Sequence, residues 1–176
     1  MSVHVEPRRT AYLGMLLAVC MILLYLSEAV TINTLIFIFL AACCVGMAYT
    51  IGSAVSGSAF LAAAVLLGYF LLPDKESILT FIMMGVYVLF LEVLQPKLLV
   101  RCPIWMVWGL KLGMFNLFYI PMVLLVPQLF VGGEASGLIS VVLIVLGNLV
   151  VVMCDYLYMA LKGKYAGRIQ AWMKGR

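Results

Sequence analysis

INTLIFIFLAACCVGMAYT, residues 32–50, runs for 19 positions without a charged side chain. A helix of that length rises about 28 Å at ~1.5 Å per residue, close to the ~30 Å hydrocarbon core of a bilayer. Comparable apolar runs lie on both sides of it, at 11–27, 54–72, 78–94, 104–129 and 138–161. Together they predict an all-α integral membrane protein, a compact bundle of six transmembrane helices forming a single membrane domain over 1–176.

Composition points the same way. Hydrophobic residues make up 66% of the chain and charged residues only 10%, against about a quarter charged in soluble domains. Six spans and their short connections leave no room for a soluble domain. An outer-membrane barrel would need segments of about ten residues with strict apolar and polar alternation, which the chain lacks. Residues 11–27 follow Arg8 and Arg9 as a signal peptide would. No small-x-small site leading to a polar mature sequence follows, and residues 28–31 run directly into the next span, so this run reads as the first span.

Basic residues set the orientation, because they collect on the cytoplasmic side. With the N-terminus inside, Arg8, Arg9, Lys97, Arg101, Lys162, Lys164, Arg168, Lys174 and Arg176 all fall inside, and only Lys75 lies in an external turn. Both termini are then cytoplasmic, in a multi-pass protein of the cell membrane. The net charge of +4 is therefore a membrane signal, and nucleic acid is not an expected partner. Between spans two and three, residues 49–58 carry no charge and read as a tight, partly buried turn. The tail 162–176 places Tyr165, Ile169 and Trp172 at helical spacing among basic residues, which predicts a short interfacial helix touching membrane lipid.

Catalytic chemistry is hard to find. Cys20, Cys43, Cys44, Cys102 and Cys154 fall within the membrane or on its cytoplasmic side, where a disulfide framework is not expected, and they lack paired zinc-ligand spacing. The sole histidine, His4, has no companion. Neither a nucleotide-binding glycine loop nor an HExxH motif occurs. The expectation is a protein that is not an enzyme and has no catalytic residue, metal or cofactor.

Ionisable residues inside spans carry more information, since each costs several kcal/mol unless it faces protein, water or a partner. Three occur: Glu92, about 7 Å along the helix from Lys97; Lys111, about 15 Å from Arg101; and Asp155, about 10 Å from Lys162. Their similar depth in the cytoplasmic half predicts a charge cluster joining spans four, five and six, in which Lys111 pairs with one or both acids. A second polar set, Glu28, Thr31, Asn33, Tyr69, Asn116, Tyr119 and Asn148, lies nearer the outside. Of these, Glu28, Asn33, Tyr69, Asn116, Tyr119 and Asn148 are candidates to orient a small-molecule ligand, although asparagine in a span also serves as interhelical glue. Pro121 follows closely enough to free a carbonyl one turn earlier.

Small residues mark close helix approach: Ala11, Gly14 and Ala18 in span one, Ala41, Ala42 and Gly46 in span two, and Gly52, Gly57, Ala59 and Ala62–Ala64 around the start of span three. In size, span number and orientation the whole chain resembles the substrate-binding (S) components of energy-coupling-factor transporters. Arg8-Arg9 followed by Thr10-Ala11-Tyr12-Leu13-Gly14-Met15-Leu16-Leu17-Ala18 supports the likeness locally. Members of that family use small residues four apart on the first span to contact a transmembrane coupling subunit; Gly14 and Ala18 match, with Gly in place of the more usual Ala.

The resemblance implies a bacterial inner-membrane binder of a vitamin or other micronutrient, working with a coupling subunit and ATPase subunits. No biotin, thiamine or riboflavin signature accompanies it, and Glu92, Lys111 and Asp155 lie deeper than an external pocket should. Two alternatives stand beside it: a noncatalytic structural or regulatory membrane protein whose polar residues only join helices, and a stand-alone proton-coupled transporter.

Overall fold

The computed structural model describes residues 7–30, 34–73, 75–101, 103–125 and 137–173. These residues form six helices and no strand: α1 (Pro7–Ala29), α2 (Thr34–Ile51), α3 (Ala54–Leu71), α4 (Lys75–Arg101), α5 (Ile104–Leu125) and α6 (Gly137–Met173). Five of them, α1 to α4 and α6, are long and apolar enough to cross a membrane. Helix is the form such sequence takes because hydrocarbon offers no partner for a backbone N–H or C=O, so each must be satisfied within its own segment. Hydroxyls inside the helices obey the same rule. Ser27 Oγ donates to the Leu24 carbonyl at 2.7 Å and Thr50 Oγ1 to that of Gly46 at 3.0 Å.

Apolar runs locate these helices but not their ends. α4 continues beyond Leu94, through Pro96, to Arg101, and α6 continues beyond Leu161 to Met173. A helix does not stop where apolarity ends, and Lys, Gln and Arg are good helix formers. Through Met173, the tail is helical and continuous with α6. At 37 residues, α6 is about 55 Å long, well beyond the ~30 Å hydrocarbon thickness.

The chain divides into two compact units, Met1–Val93 with Ala160–Arg176, and Leu94–Met159. The first is built around α2, which buries ten of its residues from Ile38 to Ile51, including Ala41, Ala42 and Gly46. α1 turns Leu16, Cys20 and Leu24 toward it, α3 adds Phe60, Leu61 and Ala64, and α4 adds Ile78 and Phe81. Gly57 marks one close approach. A Cβ there would meet Leu89 Cδ2 at 2.8 Å and Tyr49 Cβ at 3.1 Å.

Two polar clips close the ends of this unit. Only Gly52 and Ser53 separate α2 from α3, the tight turn that the uncharged stretch predicts. Here the Arg9 guanidinium donates to Ser56 Oγ at 2.8 Å, and a methyl on Gly52 would collide with both side chains. At the other end of α3, Lys75 Nζ donates to the carbonyls of Tyr69 (2.6 Å) and Leu72 (2.8 Å) and lies 4.7 Å from the centroid of the Tyr69 ring. A cation at a helix C-terminus satisfies orphan carbonyls and opposes the negative end of the dipole. That gives Lys75 its place in a turn that otherwise carries acids.

Candidate functional site

The unit Leu94–Met159 holds a polar seam between α5 and α6. α5 turns Val107, Lys111, Phe115 and Val123 inward, four or eight residues apart, and α6 turns Val151, Asp155 and Tyr158 inward. Lys111 Nζ donates to Asp155 Oδ2 at 2.8 Å, with the two side chains 6% and 4% exposed. The Trp108 ring centroid lies 4.9 Å from the same ammonium, within cation–π range. Pairing is what makes this burial tolerable, because either charge alone in an apolar segment would cost several kcal/mol.

Farther along the seam, Asn116 and Asn148 form a reciprocal amide pair. Asn116 Nδ2 donates to Asn148 Oδ1 at 2.7 Å, and Asn148 Nδ2 donates back to Asn116 Oδ1 at 3.0 Å. Each also donates to the carbonyl four residues earlier, Leu112 at 2.9 Å and Ile144 at 2.8 Å. Both donors of each amide are thus occupied. Tyr119 donates its hydroxyl to the Leu143 carbonyl at 3.0 Å and stacks on Phe115 with centroids 4.8 Å apart. Gly147 lets the Tyr119 ring lie against α6, since a Cβ at that position would overlap it. Pro121 stands within α5 and withholds a backbone donor from the Leu117 carbonyl.

In the other unit, Lys162 Nζ donates to Glu92 Oε2, with Glu92 buried and Lys162 about one-third exposed. Of the two acids that Lys111 is expected to serve singly or together, it pairs with Asp155, while Glu92 pairs with Lys162. Each buried carboxylate has a cation of its own. The charge pattern places Lys162 at the cytoplasmic face, and the structure gives it to Glu92; its spacing carries the signal. Asn148, Asp155 and Lys162 follow one another at intervals of seven, two helical turns, and so share one stripe of α6.

The remaining candidates are dispersed. Glu28 is half-buried in the last turn of α1, and Tyr69 is 58% exposed beside Lys75. Asn33, with Thr31, lies outside the described residues. Gly14 and Ala18 are exposed on α1, in one stripe with Met15, Val19, Ile22 and Tyr25. A Cβ added at Gly14 would meet no heavy atom within 4 Å. Among the described residues, no three His, Cys, Asp or Glu side chains gather where they could hold a metal ion. No protein-family model matches the chain, and no curated protein or solved structure is significantly similar to it.

Proposed function

We propose that this chain is a six-span protein of the bacterial inner membrane with both termini cytoplasmic, and that it works as an S-component-like binder for uptake of a small micronutrient, energised by separate coupling and ATPase subunits. The observation that carries this reading is the outward face of α1. Gly14 and Ala18 are exposed, and no side chain of the described residues fills the space over Gly14. Small residues let helix backbones approach closely, an advantage used inside the protein at Gly57 but left over at Gly14. The sixth span is α5, and the basic-residue distribution supports the orientation. In this reading ligand contact rests on Glu28, Asn33 and Tyr69, because the Asn116 and Asn148 amides bind one another.

The second reading, a noncatalytic bundle protein, is favoured by that same mutual satisfaction along α5 and α6. Mass spectrometry of the tagged protein, gently purified from its native membrane, separates the two. A transmembrane subunit and ATPases that co-purify with wild type and are lost with Gly14→Leu or Ala18→Leu, insertion being unchanged, support uptake. Their reproducible absence from intact wild-type protein favours the bundle protein.

A further inference from the structure

Lys111 and Asp155 satisfy one another only in part. Asp155 is 4% exposed, and while its Oδ2 accepts from Lys111, its Oδ1 is buried with no hydrogen-bond partner. An ionised carboxylate offers about four acceptor sites on its two oxygens, and an ammonium offers three donors. Among the described residues, Lys111 Nζ donates to Oδ2 and lies 4.9 Å from the Trp108 ring centroid, so its three donors exceed the acceptors beside it. A buried charged oxygen left without a donor is destabilising, because nothing replaces the hydration it has lost. The spare donor and the orphan acceptor belong to the same ion pair.

We propose that the Lys111–Asp155 pair is a binding site for one water molecule, which accepts from Lys111 Nζ and donates to Asp155 Oδ1. Charge decides between the guests that an orphan carboxylate oxygen would accept. Lys111 and Asp155 already sum to zero, so a metal cation would leave an uncompensated positive charge in an apolar segment. An anion would meet the carboxylate. Water adds no charge and supplies the missing donor, and two polar partners meet the lower bound for a buried water. The pair and its guest form a closed ring of hydrogen bonds, so that a polar, hydrated point lies among apolar helices. This inference does not depend on the uptake reading.

The sequence makes the test direct, because the chain contains only two aspartates, Asp74 and Asp155. Full-length protein carrying 13C-labelled aspartate and valine is placed in lipid bilayers, and solid-state NMR follows magnetisation passing from water protons to carbon. An Asp74→Asn variant assigns the Asp155 carboxyl signal without touching the pair. The expected result is early build-up at the Asp155 carboxyl carbon, well ahead of the slow valine methyls of the apolar interior, and unchanged when sodium and potassium are replaced by a bulky organic cation. Build-up as slow as that of the methyls would overturn the proposal. So would an Asp155 signal that shifts when the small cations are removed, because the guest would then be a metal ion.

Discussion

Replacing Lys111 by Met keeps the length of the side chain and removes its charge, leaving the Asp155 carboxylate buried without its cation. At 4% exposure the carboxylate is almost wholly removed from solvent. Removing one partner of a buried ion pair costs about 3–5 kcal/mol, or roughly two to three and a half orders of magnitude in the ratio of folded to unfolded protein. Replacing both charges, as Lys111→Met with Asp155→Leu, removes the orphan as well and is expected to be neutral or stabilising by about 1–4 kcal/mol. The non-additivity is thus the signature, with the double variant more stable than either single one. Unfolding by SDS in mixed micelles, followed by circular dichroism, measures all four proteins of the cycle. A Lys111→Met variant within about 1 kcal/mol of wild type, or a double variant no better than the single, would refute the claim that this pair is buried and mutually dependent.

Four further outcomes follow from the same geometry and can be read in the same unfolding assay. Lys162→Met should cost less than Lys111→Met, because Lys162 is one-third exposed and interfacial water can take over part of its role; an equal cost would mean that Glu92 is as isolated as Asp155. Asn116→Leu strands the Asn148 amide and should cost about 0.6–2 kcal/mol, part of which Asn148→Leu restores; full additivity would argue against the reciprocal pair. Gly57→Ala must displace Leu89 and Tyr49 and should cost about 1–3 kcal/mol, whereas Gly14→Ala meets open space and should be neutral or stabilising by up to about 1 kcal/mol. Gly147→Ala should push the Tyr119 ring off α6 and break its bond to the Leu143 carbonyl, a loss visible in the near-ultraviolet tyrosine dichroism as well as in stability.

Helical class and helix positions were legible in the chain by itself. Apolar runs of bilayer length leave the backbone no hydrogen-bond partner but itself, so 34–50 is helical for reasons its own sequence supplies. The tight turn at Gly52 was legible for a similar reason, two apolar runs meeting with no charge between them. Helix ends were not, because Lys97 to Arg101 and Lys162 to Met173 are polar or mixed sequence that helix accommodates as readily as loop. Nor could the chain say which way a small residue faces. Ala41, Ala42 and Gly46 are buried in α2 and Gly57 sits against its neighbours, while Gly14 and Ala18, small residues of the same kind, lie on the open face of α1. Composition reports that a backbone can be approached closely, and only packing decides whether anything approaches it.

The charges divide in the same way. That Glu92, Lys111 and Asp155 needed partners was dictated by the cost of a lone charge in an apolar helix. Which partner each takes was decided within each unit by which side chains reach one another, Lys111 with Asp155 and Lys162 with Glu92. Sequence sets how much a buried charge or amide costs; tertiary structure decides what it pairs with, because pairing is a matter of distance and direction that no single helix carries.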